Sequence, residues 1–236
     1  MKIFAKIKFL WSAFVIATVV GIGMIPLIHI FPRYKGIIMH KLNKVILFLI
    51  GATIEKVGDR DKDANLFIMN HQGIIDIIAM EALENTHFRW VAKKELFEMP
   101  LYGHLLRGGD MISVDRENKA GLRKLLGDIE ESITQKNRAV AIFPEGTRSK
   151  DQKLLPFKSG TKLAAQKLNM RVQPIVIVGS KWILNEHNQT AHSGKVKIIY
   201  LDAFDVKDAP KDWYEEIQKR MQEVIDREHN EFGVER

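Results

Sequence analysis

From about residue 64 onward, short apolar segments alternate with stretches in which apolar residues follow helical spacing. Five of the apolar segments have the length and composition of strands, and they end at Asn70, Arg116, Gly146, Gly179 and Phe204. Helical periodicity predicts helices at 74–84, 118–135 and 159–168, and a last helix whose apolar face includes Trp213. This alternation predicts an α/β fold, with a mixed central sheet flanked by helices.

The first 51 residues follow a different pattern. Residues 9–31 are almost uninterruptedly apolar, and as a helix they would reach roughly 34 Å, enough to cross a bilayer core of about 30 Å. Pro26 lacks an amide hydrogen, so a kink or stop is expected there. A second segment, from residue 36, has helical apolar spacing, with Lys41 and Lys44 on a polar edge. The pattern predicts an N-terminal apolar two-helix hairpin.

Charge changes what this hairpin is expected to do. Residues 1–54 hold seven basic residues and no acid, whereas the rest of the chain holds 29 of each, so the whole net charge of +7 lies in the apolar segment. This distribution favours anionic membrane lipids over nucleic acid as the partner. We therefore expect a hairpin that dips into one leaflet. The alternatives are two membrane-spanning helices, a cleaved signal peptide, or two buried core helices.

Composition limits the available chemistry. The chain is 46% hydrophobic and 28% charged, which is typical of a globular protein with a substantial core. It has no cysteine, and this excludes disulfides, thiolate zinc sites and cysteine nucleophiles. His187 and His192 lack the spacing of a zinc-binding motif, so no metal site and no cofactor are expected.

The segment NHQGIID, residues 70–76, stands where a predicted strand gives way to a helix. On one continuous helix His71 and Asp76 would lie on poorly matched faces. A turn at Gly73, a residue free to adopt unusual backbone angles, would let the Asp76 carboxylate reach the His71 ring. The carboxylate would then fix the tautomer of a general base. The alternative is that His71 caps the helix or fills a buried turn, and that Asp76 complements the helix N-terminus.

A second polar segment, FPEGTRS at residues 143–149, follows another predicted strand. It groups Glu145, a permissive Gly146 and Arg148. Such a turn can bring backbone amides and a guanidinium to a phosphate. The alternative is a polar turn closed by a salt bridge.

Together these segments resemble the glycerolipid acyltransferases, and specifically the bacterial 1-acylglycerol-3-phosphate acyltransferases. NHQGIID matches the N-H-x4-D motif of that family, and FPEGTRS matches its phosphate-associated motif completely. GGDMISVDR, ending at Arg116, is similar to the second family block, and VQPIVI around Pro174 is similar to the fourth. The segment at residues 92–106 also resembles the family, and the whole resemblance covers roughly residues 60–205. One block departs from the family pattern, because Asp110 and Ser113 stand where a glycine and an aromatic residue are usual.

The resemblance implies transfer of a fatty acyl group from an acyl thioester, acyl-carrier protein or acyl coenzyme A, to the 2-hydroxyl of lysophosphatidic acid. It divides the chain into a membrane-associated segment at 1–55 and an α/β acyltransferase domain at 56–236. His71 would act as general base and Asp76 would orient it. The other site residues would bind the phosphate and glycerol of the acceptor: Arg116, Glu145, Gly146, Thr147 and Arg148.

Glu145 would bond a glycerol hydroxyl, an arginine or a backbone amide. The enzyme would be monotopic, on the cytoplasmic face of the cell inner membrane or plasma membrane, where soluble thioester donors can reach it. Two alternatives stay open. In the first, the acceptor is another lysophospholipid. In the second, the protein binds anionic lipid without catalysing a reaction.

Overall fold

The computed structural model of the protein describes residues 2–115, 119–151 and 153–232. Its N-terminal part is helical, with α1 (Lys2–Thr18), a π-helical segment (Val19–Met24), α2 (Ile25–Ile30), a 3-10 turn (Pro32–Tyr34) and α3 (Lys35–Ile50). The remaining helices and strands follow in this order: β1 (Ala52–Val57), β2 (Leu66–Met69), α4 (Ile74–Leu83), β3 (Arg89–Lys93), α5 (Lys94–Glu98), α6 (Tyr102–Gly108), β4 (Ile112–Val114), α7 (Lys119–Thr134), β5 (Val140–Ile142), α8 (Ser159–Lys167), β6 (Arg171–Val178), α9 (Ser180–Ile183), β7 (Leu184–Asn185), β8 (Thr190–Ala191), β9 (Gly194–Tyr200), β10 (Phe204–Asp205) and α10 (Trp213–Phe232).

Within the described residues, eight strands form a mixed sheet in the order β1-β9-β6-β2-β5-β3-β4, with β10 antiparallel to β6. The five strands from β6 to β4 run parallel to one another, and β9 and β1 run in the opposite direction. The predicted fold class, a mixed central sheet flanked by helices, is therefore confirmed.

Alternating residues of β2 pack into two separate hydrophobic clusters. Phe67 and Met69 point into a cluster shared with α4 and the N-terminal helices. Leu66 and Ile68 point into a second cluster, shared with α7, α8 and α10. Because side chains alternate along a strand, a strand buried on both faces has an uninterrupted apolar sequence, as LFIM does here.

The first helix continues past Pro26, where a kink or stop was expected. The irregularity lies just before the proline, in the π-helical segment, where the helical hydrogen bonds are rearranged to accommodate the missing amide hydrogen. The continuous helical segment Lys2–Ile30 is thus 29 residues long. Of the helices in the described part of the chain, it is the one that is long and apolar enough to cross a membrane.

The hairpin of α1, α2 and α3 contacts the α/β body at three places along its length. Near its start, Lys8 hydrogen-bonds the hydroxyl of Ser193 beside β9. At its turn, the Lys35 ammonium lies 3.9 Å from the carboxylate of Asp110. Between these ends, the side chain of Leu101 lies against Gly21. The hairpin is therefore packed along the α/β body and does not project from it.

Several elements of the body are absent from the predicted set, among them β1, β3, α5 and α6. β1 begins at Ala52, directly after the hairpin, and pairs with β9; β3 and the short helices α5 and α6 fill residues 89–108. The boundary predicted between residues 55 and 56 lies inside β1, and the division of the chain into two units stays a prediction.

The structure accounts for Asp110, one of the two departures from the family pattern. Its φ is +58°, in the left-handed region that favours glycine, and aspartate is among the few other residues that enter it readily. Its carboxylate forms salt bridges with four basic side chains, at N–O distances of 2.9–3.9 Å: Lys35, Arg89, Lys136 and Arg138. These ion pairs connect the hairpin turn to β3 and to the loop before β5, and their attraction offsets the backbone strain of a residue with a Cβ at this position.

Candidate active site

The polar segments meet at one edge of the sheet. β2, β5 and β6 are parallel neighbours, so their carboxyl ends share that edge, where α/β proteins commonly bind ligands. His71 follows β2, Glu145 follows β5 and Lys181 follows β6. Two main-chain groups of His71 join the first two segments: its N–H donates to Glu145 Oε1 at 2.8 Å, and its carbonyl accepts from the Ser149 N–H at 2.8 Å.

His71 and Asp76 are in direct contact. Nδ1 of the imidazole lies 2.9 Å from Asp76 Oδ2, and Asp76 is fully buried, whereas the His71 side chain remains 13% exposed. A carboxylate only accepts hydrogen bonds, so Nδ1 carries the proton and Nε2 is the basic nitrogen of the neutral ring. Nε2 has no hydrogen-bond partner among the described residues. The pair has the arrangement of an oriented general base.

Asp76 also caps α4. The same oxygen, Oδ2, accepts the backbone N–H groups of Gln72 at 2.6 Å and of Gly73 at 2.9 Å. The capping role and the contact with His71 are thus combined in one carboxylate. Gly73 was expected to adopt an unusual backbone angle, but this prediction is wrong. Its φ of −174° is extended backbone that any residue can adopt. The polypeptide turns toward α4 through the two N–H bonds to Asp76.

Glu145 lies behind His71. It is 1% exposed, and its second oxygen accepts the backbone N–H of Leu155 at 2.8 Å, so each carboxylate oxygen bonds a main-chain amide. Burial raises the pKa of Glu145 to about 7; the amides of Leu155 and His71 oppose this shift, and the neighbouring Asp76 adds to it. Of the alternatives expected for Glu145, the geometry corresponds to the backbone amide. Glu145 therefore fixes the main chain of His71.

The turn after Glu145 carries the predicted acceptor residues. Gly146 adopts φ +72° and closes the turn by donating its N–H to the Phe143 carbonyl at 3.0 Å, a conformation that favours glycine. Thr147 and Arg148 follow on the exposed surface. The Arg148 side chain is 45% exposed and forms a salt bridge with Glu186. Arg116 lies outside the described residues.

Three residues at this edge were not predicted as part of the site. Asn70 joins β2 to β6, since its side-chain amide donates to the Ile177 carbonyl and accepts the Ile177 N–H. Lys181 donates to the Ser149 carbonyl at 3.0 Å, which ties α9 to the Arg148 turn. Phe143 stacks on the His71 ring. Asn70 and Phe143 belong to the two motifs, so their positions gave the available signal, whereas nothing in the sequence distinguished Lys181 from a surface lysine.

Comparisons with known proteins show the family of the chain. The profile of the family described as Acyltransferase matches residues 52–178. The 1-acyl-sn-glycerol-3-phosphate acyltransferase of Helicobacter pylori strain J99 is 37% identical over 97% of this chain and 96% of its own length. The protein of that name from Limnanthes alba is 28% identical over 92% of this chain and 79% of its own length.

A solved structure shares the fold over the whole chain. The crystal structure of the 1-acyl-sn-glycerophosphate acyltransferase PlsC from Thermotoga maritima superposes with a TM-score of 0.77, at 23% identity, and the match covers 100% of this chain and 98% of that one. At this identity the likeness concerns the fold alone. The family profile spans more than half of the chain, and the Helicobacter relative is aligned over nearly all of it. The chain therefore belongs to the acyltransferase family.

Proposed function

We propose that the protein transfers a fatty acyl group from an acyl thioester to the sn-2 hydroxyl of 1-acylglycerol-3-phosphate, giving phosphatidic acid. The observation that carries this proposal is the direct hydrogen-bonded link between the His71–Asp76 pair and the Arg148 turn, through Glu145 and Ser149. A base and a phosphate-binding cation on one rigid edge suit an acceptor that carries both a hydroxyl and a phosphate. The names of the curated relatives support the same reaction.

In the proposed mechanism, Nε2 of His71 takes the proton of the acceptor hydroxyl as its oxygen attacks the thioester carbonyl carbon. Asp76 holds the ring through Nδ1 and balances the charge of the imidazolium that forms. When the tetrahedral intermediate collapses, the carbon–sulfur bond breaks, and the imidazolium returns its proton to the departing thiolate. The acyl group passes directly to the acceptor, so the protein needs no covalent intermediate and no cofactor for this step.

The acceptor phosphate is proposed to bind at the exposed turn. Arg148 supplies the cation there, Thr147 and the main chain of Gly146 lie beside it, and Arg116 is proposed as a second cation from the end of the segment after β4. Glu145 contributes from behind, by holding the main chain of His71 in place. A phosphate fixed in this way positions the hydroxyl relative to His71 without relying on the acyl chain for orientation.

Replacing Arg148 by methionine should raise the KM for lysophosphatidic acid by about 10- to 100-fold and leave the KM for the thioester unchanged. A charged hydrogen bond typically contributes about 1.5–3 kcal/mol, which corresponds to that range. The matched control is Arg123→Met, which removes an exposed arginine from α7. Steady-state kinetics with each substrate varied in turn would give the result. An equal rise in both KM values would place Arg148 outside the acceptor site.

The hairpin is proposed to hold the enzyme on one leaflet, at the cytoplasmic face of the cell inner membrane or plasma membrane. Large apolar side chains are exposed along α1 and α3, among them Phe4 at 78%, Leu10 at 68% and Phe48 at 81%. Both ends of the hairpin contact the body, at Ser193 and at Asp110, which does not suit helices that cross a bilayer away from the domain. The opposite face of the hairpin completes the core, which argues against a cleaved signal.

Reversing the charge of Lys41 and Lys44 to glutamate should weaken binding to anionic vesicles by at least about 30-fold, since each lysine near such a surface contributes about 1 kcal/mol. Both side chains are exposed on α3. Turnover in detergent should remain near that of the unmutated protein. The control pair, Lys207→Glu with Lys211→Glu, makes the same charge change on exposed residues beyond β10. Co-sedimentation and a detergent assay of the same samples separate the two effects, and equal losses in both would contradict the proposed role.

The direct test of the reaction is an assay of purified protein in detergent, with lysophosphatidic acid and with long-chain acyl-carrier protein or acyl coenzyme A in parallel. Phosphatidic acid should form with at least one donor. Other lysophospholipids, offered in the same assay, distinguish the nearest alternative acceptor. If no acceptor is acylated while vesicle binding is intact, the protein is a lipid-binding protein without this activity.

A further inference from the structure

Three aromatic rings stack behind the edge of the sheet that carries His71. The His71 imidazole lies flat on Phe143, with ring centroids 3.9 Å apart and planes 10° from parallel. Phe143 also stacks with Trp90, with ring centroids 5.3 Å apart and planes 25° from parallel. The rings follow the order of the sheet, because His71 follows β2, Phe143 follows β5, and Trp90 lies in β3. Phe143 and Trp90 are 8% and 4% exposed, so the stack is enclosed by protein.

The stack supplies a constraint that Asp76 does not. The hydrogen bond at Nδ1 fixes one edge of the His71 ring, but it leaves the ring free to tilt about that contact. Contact with the face of Phe143 fixes the plane of the ring, and this plane determines where the Nε2 lone pair points. An aromatic face beside the imidazole also favours the cation that forms when Nε2 takes a proton.

Glu81 fixes the far end of the stack. It lies on α4, the helix that begins with Asp76, and it is 1% exposed. Its Oε1 accepts the indole N–H of Trp90 at 2.6 Å. Burial raises the pKa of Glu81 to about 7, against the opposing effects of the Trp90 hydrogen bond and of Arg138. It has no salt bridge among the described residues.

A core position that needed only to be filled would be occupied more favourably by leucine or methionine, because burying a carboxyl is costly. We propose that Glu81 and Trp90 are positioning residues for acyl transfer: Glu81 sets the Trp90 indole, and the indole and Phe143 together hold the His71 imidazole at the angle at which Nε2 accepts the hydroxyl proton. This inference rests on the proposed function of His71 as the base.

Two pairs of variants test it. Glu81→Leu removes the acceptor for the indole N–H, whereas Glu81→Gln keeps one. Trp90→Leu removes the end of the stack, whereas Trp90→Phe keeps a ring. The leucine variants should lose about 10- to 100-fold in kcat with both KM values nearly unchanged, since a base misplaced by about 1 Å costs roughly this much. Glu81→Gln should stay within about twofold of the unmutated protein, and Trp90→Phe should lose less than Trp90→Leu.

Trp213→Leu is the matched control for stability alone. Trp213 is 3% exposed and belongs to the cluster on the opposite face of the sheet, so its loss disturbs a core without touching the stack. A spectroscopic measurement accompanies the kinetics. In protein labelled with 13C-histidine, the His71 Cε1–H signal, assigned by its absence from His71→Ala, should be shifted by the ring current of Phe143. This ring-current displacement of the His71 signal should become smaller in Trp90→Leu and Glu81→Leu and remain unchanged in Trp213→Leu.

Folded leucine variants with unchanged kcat and an unchanged His71 signal would overturn the proposal, and so would an equal loss of kcat in Trp213→Leu. If Trp90→Leu does not fold, the contrast between Glu81→Leu and Glu81→Gln decides the matter. Failure of the proposed function would look different. In that case the unmutated protein would form no product, or His71→Ala would be as active as the unmutated protein.

Discussion

Replacement of His71 by alanine should lower kcat by about two to four orders of magnitude, with lipid binding and folding retained. This is the range over which a positioned general base accelerates a reaction, and no other imidazole of the described residues is paired with a carboxylate at the sheet edge. The main-chain bonds of His71 to Glu145 and Ser149 do not involve its side chain, so alanine leaves the surrounding turn intact. Single-turnover measurement of phosphatidic acid formation, with vesicle binding measured on the same samples, gives the result.

The control for this variant is His187→Ala, which removes a histidine from the loop between β7 and β8. It should have no measurable effect on kcat. A His71→Ala protein that forms product at the normal rate would remove the base from the mechanism. Such a protein would favour a lipid-binding function, in which the Arg148 turn and the hairpin contact anionic lipid without turnover.

The parallel strands of the body were predictable because they are buried on both faces. LFIM of β2 and the apolar segment of β6 have no polar residue on a solvent face, so each appears in the sequence as a short apolar segment between turn residues. The motifs lie at the ends of such strands. The sequence therefore placed His71 and Glu145 each at the end of a strand, and the parallel pairing of β2 and β5 brings both to one edge of the sheet.

β3 was not predicted because charged residues begin and end it. Arg89 is buried, and it is tolerated because its guanidinium bonds the Asp110 and Asp128 carbonyls and pairs with Glu131. The acceptors for this arginine come from distant parts of the chain, so no local pattern reveals them. Trp90, and with it the aromatic stack behind His71, was missed for the same reason.

β1 was missed because it is an edge strand. Its Glu55 pairs with Lys195 on β9, and three of its six residues are exposed, so its apolar alternation is limited to Ala52 and Ile54. The position of Glu145 shows a different limit. Its sequence context left a substrate hydroxyl, an arginine and a backbone amide equally open, and the choice depends on the burial of the carboxyl behind β2, which only the packed structure defines.

Asp76→Asn should lower kcat by about two to four orders of magnitude while leaving the free energy of unfolding almost unchanged. An asparagine carbonyl can take the place of Oδ2 and accept the N–H groups of Gln72 and Gly73, so the cap of α4 is retained. The neutral amide cannot balance the imidazolium charge on His71, so the loss falls on the step in which Nε2 takes the proton.

Asp76→Ala separates charge from capping. It should match Asp76→Asn in kcat but lose about 1–3 kcal/mol more of the free energy of unfolding, because two buried N–H groups are then left without an acceptor. Denaturant titration and steady-state kinetics on both variants, with Asp63→Asn as an exposed control, measure the two quantities independently. If Asp76→Asn remained within tenfold of the unmutated enzyme, Asp76 would act as the cap of α4 alone, and the orientation of His71 would depend on its main-chain bonds and on the aromatic face of Phe143.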